Sequence, residues 1–519
     1  MNKLHTAVLK ISMPMILCLP VLANGAPMTP LESAVKNGDR LQAERLLEAG
    51  ADPDAPGEFD TPPLQWAAYY NDPHMAGLLL EAGADPDLRN PQTEVTALAL
   101  AVKTLNPALV EVLLDAGANP DLLLSEGETA LMWTARDGVP GIIELLLEAG
   151  ASVDYRHEEY GHTALMLAAN AGNATIVKQL IDAGADPDAA TYSIGEETWV
   201  RPNGQPGYGF GIGIIRGGTP ADRGRRDPLK GQMTALLYAA RHGHTEVANV
   251  LLDGGADINK AEANEIFPLL MAISNDNMAM AELLIARGSR INGADWYGRS
   301  PLWEAVNVRN LYLDSESLDN YVDRDAALEV VELLLEKGAD VNARTAETPP
   351  FRNHFLGVGS LEWVDFTGQT PFLSAALSGD VTVMKLLLEH GADPFIDTYQ
   401  GTSALMAAAG INWVVYQTYT EGPEQLLEAV KLCFELGMDV NQVNSMGLAA
   451  IHGAANRGSN DIIEFLVEQG ARLEVTDNEG RTPLDWARGV FLATHPAEAK
   501  PESMLLLTEL LKARGMPVR

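Results

Sequence analysis

Cysteine is almost missing from this chain: 519 residues hold two, Cys18 and Cys433. Cys18 lies in a leader-like amino-terminal segment, so a chain that has lost that segment keeps one thiol and has no internal disulfide to brace it. Positive charge is also scarce, with 36 Lys+Arg against 71 Asp+Glu and a net charge of −35. Binding to a nucleic-acid backbone needs a dense basic face to release counterions, so nucleic acid is excluded as a partner of the whole chain. An acidic surface serves solubility and suits a basic protein partner. Beyond the leader no stretch reaches 18 consecutive apolar residues, and a spanning helix needs about 20, so no membrane insertion is expected. Aromatics make up 6% of the residues, which leaves each exposed one informative.

Catalytic patterns are missing too. No His-Glu-x-x-His, Cys-x-x-Cys or Gly-x-Ser-x-Gly occurs, and the one glycine run has no Gly-Lys-Ser/Thr after it. No catalytic residue, metal ligand or cofactor is therefore assigned. His242 and His244 stand two apart near Glu246, a spacing that by itself suggests a metal pair. The Asp pairs Asp52/Asp54, Asp85/Asp87 and Asp186/Asp188 read as turn geometry rather than calcium ligands, because no glycine-containing twelve-residue loop surrounds them. Cys433, within Val430-Lys431-Leu432-Cys433-Phe434, reads as a buried, inert thiol on an apolar helix face.

What is present begins with export architecture. Lys3, His5 and Lys10 precede an apolar stretch from Ile11 to Leu22 and small residues at Ala23, Gly25 and Ala26. This is the three-part pattern of a secretory signal peptide, placed at 1–23, with cleavage after Gly25 or Ala26 as alternatives to Ala23. Leu17 before Cys18 argues against a lipid anchor. Removing Lys3 and Lys10 takes the net charge from −35 to −37, and the expected location is periplasmic or secreted.

A repeat fills the rest. A helix-ending Leu-Leu and a glycine recur at Gly50, Gly83, Gly117, Gly150, Gly184, Gly255, Gly288, Gly338, Gly391, Gly437, Gly470 and Gly515, with a unit of about 33 residues. Upstream stands a Thr-Pro-Leu or Thr-Ala-Leu opening, as at Thr29, Thr129, Thr163, Thr234, Thr370 and Thr482, with Ser300 as a variant. Thr caps free backbone donors and Pro is tolerated in a first turn. Alanine pairs such as Ala67-Ala68 and Ala239-Ala240 allow close approach, Gly138, Gly172, Gly243, Gly379 and Gly458 mark a turn, and a second amphipathic helix follows. The closing glycine offers a left-handed helix end.

These residues resemble the ankyrin repeat, most specifically over Gly231 to Asp257, and the resemblance runs from Met28 to about Gly515. It implies an all-α solenoid of about 12 helix-turn-helix repeats with finger-loop insertions. The family commonly carries Gly-His at the turn where Gly243 and His244 stand, and this implies a helix cap for His244 instead of a metal ligand. Repeats one to five take 28–188, a Gly-rich insertion 189–230, repeats six to eight 231–343, a finger insertion 344–367, and repeats nine to twelve 368–519. Shorter excesses fall between the two helices of repeats eight, ten and twelve. Terminal repeats need polar outer surfaces, and Glu32, Lys36, Asn37, Asp39, Arg40 and Glu44 read as that surface for the first.

In this family the finger tips and the exposed end of the first helix form a concave binding face. The aromatics carried to those positions are Tyr69, Tyr70, Tyr160, Trp296, Tyr297 and Tyr399, with Trp413, Tyr416 and Tyr419 in an insertion. Within 189–230, Gly207, Gly209, Gly211 and Gly213 alternate with Tyr208, Phe210, Ile212 and Ile214, which puts the apolar side chains on one face of an extended strand. That segment is locally basic, and folding back on the acidic repeats and docking a partner both remain open for it. The expected function is an exported, non-enzymatic scaffold for a protein partner of unknown identity. Phrases such as Gly401 to Gly410 and Gly480 to Ala487 also resemble secreted bacterial ankyrin proteins, which implies a cell-envelope setting and an envelope oxidoreductase as one partner class. The alternatives are an enzyme or accessory subunit of such an oxidoreductase, and a secreted effector that binds a host protein.

Overall fold

Each opening threonine does what its chemistry dictates. The hydroxyls of Thr29, Thr96, Thr129, Thr163, Thr234, Thr370 and Thr482 accept from the backbone N–H three residues on, and Ser300 does the same. Six first helices carry Pro at their first position. This computed structural model describes residues 27–124, 127–193, 231–310, 322–346, 366–413, 421–490 and 498–518. Those residues form twenty-four α-helices in twelve successive pairs and no β-strand; the extended fingers leave only an isolated bridge between Ala190 and Thr234.

Contacts divide the chain into two compact units, 1–186 and 187–519. The first holds Pro30–Lys36 with Arg40–Glu48, Pro63–Tyr69 with Pro73–Glu81, Ala97–Lys103 with Pro107–Asp115, Ala130–Asp137 with Pro140–Glu148, and Ala164–Ala171 with Ala174–Asp182. The second holds Ala235–His242 with Thr245–Asp253, Pro268–Ser274 with Met278–Ala286, Pro301–Arg309 with Arg324–Glu336, Pro371–Ser378 with Val381–Glu389, Ala404–Ala409 with Pro423–Glu435, Ala450–Arg457 with Asn460–Glu468, and Pro483–Ala487 with Pro501–Ala513. Within each unit every first helix packs on the next first helix. The alanine pairs make this possible: Ala68, Ala168, Ala169, Ala239 and Ala240 have no exposed surface, and neither do Leu79, Leu113, Leu146, Leu180 and Leu251 on the second helices. A fully buried leucine contributes about 1.5–3 kcal/mol, so the repeated leucine is a substantial part of the packing in each layer.

All twelve closing glycines have positive φ, from Gly515 at 68° to Gly437 at 100°. After each second helix the chain turns, and there the Asp pairs find their role. Asp54 accepts from the Asp85 N–H of the next repeat at 3.0 Å, Asp87 from Asn119 at 2.8 Å, Asp121 from Ser152 at 2.8 Å and Asp154 from Asp186 at 3.0 Å. In the second unit Asp188, Asn259, Asn292, Asn342 and Asn441 bond Asp257, Arg290, Asp340, Asp393 and Arg472 in the same way. A carboxylate or amide thus clips each of these nine turns to its neighbour. The position belonging to the ninth repeat holds Phe395 instead, 57% exposed.

Two sequence expectations are corrected here. Glu32 is not on a polar outer surface: it is fully buried, accepting from the Glu58 N–H at 2.8 Å and pairing with Lys36 at 3.0 Å. A polar residue in a small terminal repeat can therefore serve as an anchor for the first finger. His244 stands at the N-cap of Thr245–Asp253 but its side chain makes no capping bond, and its ring stacks on His242 at 5.8 Å. The signal-peptide segment and most of the Gly-rich insertion lie outside the described residues.

Candidate functional site

A first helix is enclosed by a first helix on each side and by its own second helix behind, so only one stripe stays open. In the first unit that stripe starts at the fourth helical residue: Ser33, Trp66, Leu100, Trp133 and Leu167 are half-buried while their neighbours at the second, third, fifth and sixth positions are buried. One helical turn on stand Lys36, Tyr69, Lys103, Arg136 and Asn170, the spacing at which side chains on one helix face meet. Trp66 and Trp133 were not among the sequence candidates. Position within the repeat, rather than nearness to a finger tip, was the signal that would have found them.

Cations cover the two indoles. Lys36 Nζ lies 3.8 Å from the centre of the Trp66 ring, and Lys103 and Arg136 lie 4.8 and 4.4 Å from that of Trp133. Finger carboxylates hold two of these cations in place, Glu58 on Lys36 at 2.7 Å and Glu128 on Arg136 at 2.8 Å. Burial by itself would lower the Lys36 ammonium, but the hydrogen bonds it donates to Glu58 and Glu32 outweigh it and hold the group above its ordinary pKa. Tyr69 and Tyr70 complete a cluster with Trp66: Tyr70 stacks on it at 6.1 Å, Tyr69 meets it edge-on at 5.8 Å, and Tyr70 is 51% exposed. The Nε1 atoms of Trp66 and Trp133 are covered and have no hydrogen-bond partner.

The finger aromatics fall in separate places. Tyr160 stacks on His157 at 5.2 Å, and a hydrogen bond with Glu159 raises its hydroxyl pKa. His162 beside it is pushed down, by burial first and then by His157. Trp296 and Tyr297 meet edge-on at 5.0 Å and are half-buried. Tyr399 is 62% exposed, with Arg344 4.3 Å above its ring. Trp413 packs inward against Leu373, Leu377 and Ala407, with Arg457 5.3 Å from its ring. Tyr208, Phe210, Tyr416 and Tyr419 lie outside the described residues. The structure brings Tyr69 and Tyr70 together and Trp296 and Tyr297 together; within the first unit Tyr160 stands on a finger, apart from the tyrosine pair.

In repeats nine to eleven the stripe is closed. Its fourth-position residues are small, Ser374, Ala407 and Gly453, and all are buried. The helix Ala404–Ala409 stops early at Gly410, φ 119°, and the chain crosses the next helix so closely that a Cβ on Gly453 would lie 2.7 Å from the Ile411 nitrogen. Arg457 donates to the Ala408 and Leu377 carbonyls at 3.0 and 3.3 Å, capping two helix ends, and desolvation pulls its guanidinium down to about 9. Cys433 is fully buried and its thiol is pushed up to about 12, which leaves it without nucleophilic character. Nothing in these arrangements activates a nucleophile; they offer contact surface.

A family model described as "Ankyrin repeats (3 copies)" matches residues 31–123, 98–191, 236–345 and 421–489, and a single "Ankyrin repeat" model matches 367–396. Among curated proteins, the chain is 28% identical over 296 residues to the Homo sapiens "Ankyrin repeat and SOCS box protein 16", covering 56% of this chain and 54% of that one. It is 36% identical over 186 residues to "Palmitoyltransferase AKR1" of Lachancea kluyveri, covering 35% of this chain and 21% of that one. The chain thus spans about half or less of the length of the curated relatives it matches. Among solved structures, the ankyrin repeat domain of Bcl-3 is 24% identical, with a TM-score of 0.40 over 50% of this chain and 99% of that one. With family models matched over more than half of its length, the chain belongs to the ankyrin-repeat family.

Proposed function

We propose that this chain is an exported docking scaffold that holds a protein partner against the inner helices and fingers of its repeats. Ankyrin repeats are ordinarily binding modules, and the observation that supports the reading here is the open stripe of Trp66, Leu100, Trp133 and Leu167 in the first unit. Tyr and Trp are over-represented among residues that dominate binding energy, and this protein places two scarce tryptophans where neighbouring helices leave room for a partner. The amino-terminal 23 residues support export, and the acidic balance suits a basic partner, with an envelope oxidoreductase as one class. The insertion 189–230, with Tyr208 and Phe210, is read as an added contact.

The test is fractionation of the native host followed by affinity capture with the full chain and with W66A/W133A. Material that starts near Asn24, sits outside the cytoplasm and loses its specific partner in the double variant supports the reading. Intact Met1 on cytoplasmic protein overturns export, and unchanged capture by the folded double variant overturns the docking surface.

A further inference from the structure

We infer that the inner stripe of the first unit receives an extended, basic polypeptide segment with an apolar side chain at every third position. The inference deepens the scaffold reading and rests on it. Packed helices stand about 8–10 Å apart, so successive stripe residues on adjoining first helices rise by that amount per repeat. An extended polyproline-type chain advances about 9 Å in three residues. Apolar side chains three apart therefore register one by one with Trp66, Leu100, Trp133 and Leu167, whereas a helical ligand needs about six residues per repeat.

Hydrogen bonding selects the same conformation. The Nε1 donors of Trp66 and Trp133 are unpartnered, and a buried donor without an acceptor is costly. An extended backbone without internal hydrogen bonds has its carbonyls to spare; a helical ligand has used all but its last turn. Both Nε1 atoms are covered in the free protein, so uptake includes a rotamer step of the indoles or of the cations lying on them, an ordinary event at interfaces.

Charge sets the sign of the ligand. The ring faces already carry cations held by finger carboxylates, Lys36 by Glu58 and Arg136 by Glu128. An incoming Arg or Lys offers the same rings and carboxylates the same kind of partner as these side chains swing aside. Glu94, with 69% of its side chain exposed, adds a further finger carboxylate, paired with Arg89 at 3.6 Å. An acidic segment would instead add its charge to a chain already at −35.

The experiment uses the full chain and a synthetic (Leu-Pro-Arg)5 peptide, read by tryptophan fluorescence and calorimetry at 0.15 M salt. The controls are a scrambled peptide of equal composition, (Leu-Pro-Glu)5, and a Lys/Leu amphipathic helix. The periodic basic peptide is expected to bind at least about tenfold tighter than each control, and W66A or W133A to weaken it about tenfold. W133F, which keeps a ring and loses the donor, is expected to weaken it about threefold. Circular dichroism establishes that each variant is folded. Equal binding of the scrambled peptide, tighter binding of the helix, or wild-type affinity in W133F overturns the inference. If W66A/W133A loses the captured partner while the peptide binds no better than its controls, this inference falls and the scaffold reading stands; if capture is unchanged, the scaffold surface itself falls.

Discussion

The first unit and repeats nine to eleven use one helix pair for opposite ends. In the first unit the fourth residue of each inner helix is large where it is not Ser33, and the stripe stays open beneath a layer of cations. In repeats nine to eleven the same register holds Ser374, Ala407 and Gly453, and the protein's own chain fills the space, with Trp413 turned inward and Gly410 and Ile411 laid on Gly453. A tryptophan on an open stripe has room for a partner; a glycine under a crossing chain has already been given one. One repeat consensus therefore accompanies an open stripe in one region and a closed face in another, and the size of the fourth residue does not decide it alone, since Glu304 and Trp486 at that position are buried.

The largest effect is expected from closing that space. Gly453→Leu places side-chain atoms where the Ile411 nitrogen and the Gly410 carbonyl carbon lie 2.7 and 2.9 Å from a Cβ, and backbone cannot yield as a side chain would. Denaturant unfolding should show a loss of about 3 kcal/mol, at the upper end for overpacking. Leu100→Ala in the open stripe should cost about 1 kcal/mol or less, because Leu100 is only half-buried and leaves no closed cavity. Similar costs at the two positions would erase the distinction between the faces.

Acid should strike the closed face next. His452 is fully buried, its Nδ1 accepts from the Ala449 N–H at 3.0 Å, and burial pushes its pKa down from 6.5 to about 4. A folded pKa below the unfolded one means that the unfolded chain takes up the proton first as pH falls. The His452 contribution is thus complete above about pH 6.5 and is lost progressively as pH falls toward 4, on the order of 2 kcal/mol. Unfolding titrations at pH 7 and pH 4.5 measure it, and His452→Gln should flatten that limb. An identical acid limb in the variant would assign the loss elsewhere.

Much of this was legible in the sequence, because a repeat reports its own geometry many times over. The threonine caps, the left-handed closing glycines and the burial of Cys433 follow from local chemistry that needs no partner in space. Glu32 and His244 were misread for the complementary reason. Glu32 looks like a surface residue until the first finger, some 26 residues on, folds over it. The function of the Asp pairs was half legible: turn geometry was evident, while the bond from each turn to the next depends on the stacking distance between repeats. Trp66 and Trp133 escape a reading centred on finger tips, because the open stripe is set by position within the first helix.

The turn clips give a smaller pair of effects of opposite sign. Asp87→Ala removes the acceptor for the Asn119 N–H and should cost about 1 kcal/mol. Phe395→Asn, in the one position of the described series from Asp54 to Asn441 that lacks an acceptor, should supply one to the following turn and add about 0.5–1 kcal/mol. Destabilisation by Phe395→Asn would show that the exposed phenyl ring is held by contacts that outweigh a turn bond.

The most direct measurement places a photo-crosslinking amino acid at Leu100, on the inner helix of the third repeat, and separately at Glu111, on the outer helix of the same repeat. Irradiation in the native host compares two faces of one repeat at equal abundance. The account predicts a discrete covalent adduct with one protein from position 100 and none from position 111. An adduct from position 111 with nothing from position 100 would place the partner on the outer helices and contradict the open stripe as the docking face.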